Sequence, residues 1–194
     1  MSHQIYTTPA VVLGVREASE ATRTLTLYTR DHGLVNATAQ GLRELKSKLR
    51  YNLQLFSWPE VSLVRGREVW RVVHVEAGEL AAHREAVRLQ LLARVAQLIL
   101  RLVTGEVAQP DFFEEFKSGA HFLERPFLTE AELVNFELIW VARLLRRLGY
   151  VEERPELEVI FAFNDWDMAP LELSAERQQL ALEIINQALH HSHL

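Results

Sequence analysis

From Thr8 to Glu76 apolar positions come in short runs with stretches of period two: PAVVLGVRE, ATRTLTLYTR, GLVNATAQG, FSWPEVSLVRG and REVWRVVHVE. Alternation over so few residues predicts half-buried strands, and β-branched side chains suit them. Asp31-His32-Gly33 reads as the hairpin turn between the second and third strands, and Arg65-Gly66-Arg67 as that between the fourth and fifth. Between strands three and four the polar segment LRELKSKLRYNLQ has room for a loop or short helix. Five strands with the long insert in that place predict an OB-fold barrel, although SH3-like barrels have a similar strand count. Pro59, inside the fourth run, fits only an edge or a bulge.

After Gly78 the period becomes 3.6. Over Glu79 to Val103, one seam comprises Leu91, Val95, Leu98 and Leu102 and a second Leu89, Leu92, Ala96, Ile99 and Val103, about 110° apart at ~100° per residue. Gln90, Arg94, Gln97 and Arg101 fall on the remaining face, which predicts the central helix of a bundle. Pro110 suits the first helical position before DFFEEF, whose Phe112, Phe113 and Phe116 are expected in the same bundle core. Thr129 with Glu132 is a capping box opening a helix to Leu148, stopped by Gly149. Ser174 suits the N-cap of a last helix through Leu189, and 152–173, punctuated by Pro155 and Pro170, reads as irregular. The fold class expected is therefore α+β with two domains: an N-terminal five-stranded OB-fold β-barrel over 1–77, and an all-α helical bundle over 78–194.

Composition narrows the chemistry. Of 194 residues 48% are hydrophobic and 24% charged, which suits a folded globular chain and excludes collagen-like or wholly disordered architecture. Cysteine is absent, excluding disulfides, thiolate metal sites and thiol nucleophiles. The longest apolar stretches are broken by Arg94, Arg101, Glu137 and Arg143, short of the ~20 residues a membrane span needs. The N-terminus has neither the basic nor the apolar region of a signal peptide, so no membrane association and a cytoplasmic location are the expectations. The net charge of -5 is unevenly placed: the chain to Glu76 carries net +3 and the remainder net -8. Such a difference in sign suggests two electrostatic roles.

Catalytic motifs are missing. Neither a phosphate-binding glycine loop, a GxGxxG, a GxSxG elbow nor an HExxH occurs, so no enzymatic activity and no cofactor or metal are expected. His190, His191 and His193 crowd a helix end, where the dipole favours them. Asp165 and Asp167 lack the further acids of a calcium loop and read as a polar turn. The basic cluster Arg43, Lys46, Lys48 and Arg50 is more informative, with Tyr51, Phe56 and Trp58 close by and Tyr28 in the second strand. Cations tracking phosphates beside aromatic faces for bases are what single-strand binders combine. A solvated loop over core aromatics is the alternative.

The series LYTRDHG, the AxGxR element Ala39 to Arg43, KSKLR followed by LQLF, and VRGRE resembles the N-terminal domain of the RecO family of bacterial recombination mediators and DNA repair proteins. RLLRRLGY, at 143–150, is similar to that family's second domain. The resemblance implies binding to single- and double-stranded DNA, annealing of complementary strands, help in loading RecA together with RecR, and binding to the acidic C-terminal tail of single-strand-binding protein. Arg43, Lys46, Lys48 and Arg50 are the expected DNA contacts, with Arg16, Arg23 and Arg30 as further candidates on the barrel. Arg143, Arg146 and Arg147 could flank a site for the acidic tail, or simply favour a helix end. Two departures from the family pattern stand out. Many members carry a four-cysteine zinc module after the LGY element, and here VEERPELEVIFAFNDWDM holds no cysteine, so zinc is expected to be absent. The sequence also ends at HHSHL, where relatives are expected to continue through a stretch with basic residues, so DNA contacts from such a tail are not expected. The alternative function is a protein-interaction adaptor of the same fold that has lost most DNA binding.

Overall fold

The computed structural model describes residues 4–19, 22–40, 52–80, 85–152, 155–161, 166 and 171–191. These fall into two compact units, 1–82 with 103–113, and 83–102 with 114–194.

The first unit is a closed barrel of five strands: β1 (Ile5–Ser19), β2 (Thr22–Thr29), β3 (Gly33–Gln40), β4 (Ser57–Arg65) and β5 (Trp70–Leu80), in the order β1-β2-β3-β5-β4. Closure depends on β1, whose first half pairs with β4 (Ile5↔Val64) and second half with β2 (Arg16↔Thr24). Its register shifts between Val12 and Gly14, and a bulge there bends one strand across two partners. β3 meets β5 in parallel at Ala37↔Trp70 and Thr38↔Arg71, while the other described pairs are antiparallel. Ala10, Val12, Leu25, Leu27, Val35, Ala37, Val61 and Leu63 fill the interior. Alternation along each strand puts these residues on the inner face. The five-stranded α+β architecture read from periodicity is thus present, and Pro59 stands at a register shift between β4 and β5, between Trp58 and Glu60.

The change of period at Gly78 misplaces the end of the barrel. β5 continues to Leu80, paired Ser57↔Leu80 and Trp58↔Glu79, and the helix begins only at Ala86. Gly78 belongs to the strand because a Cβ there would lie 1.8 Å from the Trp58 carbonyl oxygen; the close backbone approach, not a helix start, requires glycine. At the other end Gly33, with φ of 67°, closes the β2–β3 hairpin. Leu34 N–H donates to the Gly105 carbonyl at 3.1 Å, and Trp70 Nε1 donates to Glu106 at 3.0 Å, so the 103–109 segment lies against the barrel.

The second unit contains α1 (Ala86–Leu102), most of α2 (Pro110–Phe122), α3 (Glu130–Arg147), the one-turn α4 (Glu158–Phe161) after a 3-10 turn at Pro155–Leu157, and α5 (Ala175–His191). Within it aromatic rings stack: Phe116 on Trp140 at 5.5 Å, Phe122 on Phe136 at 5.0 Å, and Phe136 against Trp166 at 4.8 Å. The capping box of α3 forms as expected, with Glu132 N–H donating to the Thr129 hydroxyl and Thr129 N–H to the Glu132 carboxylate. Two core expectations need correction. Phe112 and Phe113 belong to the barrel unit, where both meet Tyr28, and only Phe116 joins the helical core. On α1, Leu89 is exposed and Leu98 half-buried, whereas Leu91, Leu92, Val95, Ala96, Ile99 and Leu102 are buried, so one broad seam replaces two. The stretch 152–173 also holds more structure than its proline breakers suggest, burying Leu157, Ile160, Trp166 and Leu173.

Candidate nucleic-acid interface

Antiparallel and parallel partners project from the same face of a sheet, so strand register fixes which side chains form a row. On the barrel exterior Arg16 stands opposite Thr24, Thr24 opposite Thr38, and Thr38 opposite Arg71. The result is a continuous row across β1, β2, β3 and β5: a cation, two threonines, a cation. At ~4.8 Å per strand it spans about 14 Å. The parallel β3–β5 junction creates this row by bringing Arg71 beside Thr38. Neighbouring outward positions are Thr22 opposite Gln40 and Thr26 opposite Asn36, the latter pair sharing a 3.4 Å hydrogen bond. No acid stands among these positions, and among the described residues neither Arg16 nor Arg71 has an ion-pair partner. Beyond Arg71 the row becomes apolar at Val64 and Ile5. Such a face offers hydroxyl and amide groups for hydrogen bonding, and two guanidiniums to which phosphates can bind bidentately.

The candidates named from the sequence are distributed unequally. Arg43, Lys46, Lys48 and Arg50 lie outside the described residues, as does Tyr51. Arg16 is exposed and in the row. Arg23 is paired with Glu17 at 3.6 Å, opposite Ala39 on the inward-facing register at the barrel's end. Arg30 is in the hairpin turn, its N–H bonded to the Pro9 carbonyl, six residues beyond Thr24 and so about 20 Å along the strand. The row therefore contains one of the three barrel candidates. Arg71 was missed: sequence alternation marks it as outward-facing, but only strand order shows what it neighbours.

The aromatics considered as base-stacking surfaces are internal. Tyr28, Phe56 and Trp58 are buried, and Trp58 packs edge-on against Phe113. Burial pushes the Tyr28 phenol above its ordinary range, because the phenolate would lose its hydration. The core reading of these rings is the correct one.

In the helical unit Arg88, Arg94, Arg143, Arg146 and Arg147 are engaged. Arg143 is buried, its Nε 2.8 Å from Glu115, and it lies over the Trp166 ring, so its guanidinium faces inward. Arg147 reaches the same carboxylate at 3.7 Å and remains half exposed; Arg146 covers the Phe161 ring. Arg88 pairs with Glu85 and donates to the carbonyls of Leu123 and Arg125, closing the end of α2. Arg94 forms a bidentate pair with Glu137, whose hydrogen bonding holds the guanidinium in its charged form more firmly than usual. His190 lies in the last turn of α5, while Asp165, Asp167 and His193 are outside the described residues. Among the described residues no group of three or more metal-ligating side chains comes together. With no cysteine in the chain, the residues do not fit a thiolate zinc module. No described helix is long and apolar enough to cross a membrane.

Comparison with known proteins agrees with the barrel. Residues 1–79 match the family model described as "Recombination protein O N terminal". Over 152 residues the chain is 34% identical to the DNA repair protein RecO of Heliobacterium modesticaldum, covering 77% of this chain and 54% of that protein. It is 33% identical over 156 residues to the DNA repair protein RecO of Dehalococcoides mccartyi (78% and 58%), and 30% identical over 154 residues to that of a second strain (78% and 58%). The chain thus spans somewhat over half the length of the curated relatives it matches.

Proposed function

The chain belongs to the RecO family, and from that premise we propose that it is a non-enzymatic mediator of DNA repair and homologous recombination. It binds single- and double-stranded DNA through the barrel and anneals complementary strands. The observation that carries this reading is the acid-free row Arg16–Thr24–Thr38–Arg71. Cations at the two ends hold separate, non-adjacent phosphates of one strand, the threonines bond to backbone oxygens between them, and base edges stay free to pair. β3 ends at Gln40 on this face, and Arg43, Lys46, Lys48 and Arg50 follow it in the sequence; they are proposed as further phosphate contacts. Specificity is for backbone, not sequence, as annealing requires.

Partners follow from the same premise. RecR and the acidic tail of single-strand-binding protein are the direct protein partners, and RecA loading is the indirect result. Arg146 and Arg147 supply charge for the tail, while Arg143 acts from inside by holding Glu115 and Trp166 in place.

Counterion release gives the test. Log affinity for an oligonucleotide falls linearly with log salt, with slope about -0.7 per phosphate neutralised on single strands and about -0.9 on duplex. Changing Lys46, Lys48 and Arg50 to Glu should flatten the slope on single strands by about 2, taking ~0.7 for each phosphate no longer held. Unchanged binding would remove the segment from the interface. Tight binding of RecR by the unaltered chain, with no DNA binding at any salt, would favour the adaptor.

A further inference from the structure

We propose that the helical unit carries a self-association surface, in which Phe127 of one copy seats in a groove on α1 of a second copy.

Phe127 stands in the turn between α2 and α3, 94% exposed and with φ of 72°. A bulky side chain in left-handed backbone is an outlier, because its Cβ crowds the following carbonyl. Phe56, with φ of 63°, is a useful contrast. Phe56 is buried and its N–H donates to the Val12 carbonyl at 2.8 Å, so packing and a hydrogen bond hold it there. For Phe127 its own chain supplies no comparable burial. Strained backbone presenting a solvent-exposed aromatic is the form an interface anchor takes.

The surroundings select the partner. Glu130 opens α3 three residues later with its side chain exposed, while Glu132 is taken up by the Thr129 cap and Arg125 lies over Phe122; the Glu130 carboxylate beside Phe127 matches a basic-rimmed apolar pocket. Such a pocket lies on the outer face of α1. It is a shallow groove of about 370 Å³ lined by Ala93, Arg94, Gln97, Leu98 and Arg101. Ala93 and Leu98 form its apolar part, and Leu89, 43% exposed and nearer the start of α1, extends it. Arg94 is neutralised by Glu137, whereas Arg101 has no ion-pair partner among the described residues. Placing Phe127 over Leu98 lets Glu130 of the incoming copy pair with Arg101. The partial exposure of Leu98, unexpected for a core seam, is explained by the same contact.

Anchor and groove are different surfaces of one unit, so the contact is head-to-tail. Each copy keeps one unused half, and association continues beyond a dimer or closes into a ring. On a DNA strand such contacts would link neighbouring copies, a consequence that rests on the DNA-binding reading; the association itself does not.

Sedimentation velocity of the full chain over a concentration series, without DNA, tests it. The unaltered chain should associate as concentration rises. Phe127→Ala should weaken association about 30-fold, the scale of an anchor residue. Phe127→Gly should weaken it equally while raising the thermal midpoint, since glycine accepts the positive φ. L98E/R101E should also abolish association. Mixing Phe127→Ala copies with L98E/R101E copies should restore 1:1 dimers and nothing larger, because each retains the half that the other lacks. A chain monomeric throughout the series, variants of Phe127 that associate as the unaltered chain does, or a mixture that fails to pair would each overturn the proposal.

Discussion

The outer barrel face and the core of the helical unit use arginine in opposite ways. In the helical unit Arg88, Arg94 and Arg143 are committed to Glu85, Glu137 and Glu115, and the core between them is a stack of phenylalanine and tryptophan rings. In the barrel the interior cluster is mainly aliphatic, with Trp70 among it, and Arg16 and Arg71 are left outside, beside threonines. Net charge alone does not locate a phosphate-binding surface. What matters is whether each cation already has a partner, and strand register decides that for the barrel as helix packing does for the second unit.

The largest effect is expected at Glu115. Glu115→Gln leaves Arg143 buried without its counter-charge, and chemical denaturation should show a loss of about 3–5 kcal/mol. Replacing both partners, E115L/R143M, should recover most of that loss, because an apolar pair avoids the desolvation of a lone charge. A loss under about 1 kcal/mol for Glu115→Gln would mean that the pair is not committed to the core.

Next in size is Gly33, on the barrel side. Alanine there must adopt the left-handed backbone, costing about 1–2 kcal/mol, and its Cβ would lie 2.4 Å from the Val107 carbonyl oxygen. Gly33→Ala should therefore lower stability by about 2 kcal/mol or more and increase amide exchange at Leu34. A neutral substitution would mean that the 103–109 segment does not hold the hairpin in place.

A smaller effect is expected at Thr129. Loss of the N-cap in Thr129→Ala should cost about 1 kcal/mol. The Glu132 carboxyl, held below its ordinary range first by the Thr129 N–H and then by its hydroxyl, gives this cap a pH dependence. Its folded pKa is depressed, so its contribution is present above the ordinary glutamate value of about 4.3 and is lost as pH falls through the lower folded value. Glu132→Gln keeps a capping side chain and should remove that part of the acid sensitivity. An unaltered acid titration of stability in this variant would assign it elsewhere.

How much of this was visible in the sequence depends on the range of the interaction. Thr129 and Glu132 are three residues apart, and Pro59 declares its bulge through its own missing N–H, so both were legible. Fold class was readable from period alone. The end of β5 was not, because Gly78 reads as punctuation unless the approach of the Trp58 carbonyl is known. Arg143 looked like a helix-end cation, and its burial depends on Glu115, 28 residues away, and on Trp166. Phe112, Phe113 and Phe116 share helical spacing, yet the division between units falls after Phe113. For the site, Arg16 could be named but Arg71 could not, since β5 reaches β3 only through the closure of the barrel.

Phosphate binding is proposed to belong to the unpaired cations of the barrel face. The direct measurement is the salt dependence of oligonucleotide affinity for R16E/R71E beside K117E/R177E, which makes the same charge change in the helical unit. If the row holds the strand, R16E/R71E should lower the magnitude of the log–log slope by about 1.4, ~0.7 for each of the two phosphates released, and K117E/R177E should leave it unchanged. Equal slopes for R16E/R71E and the unaltered chain, or an equal decrease in both double variants, would contradict it.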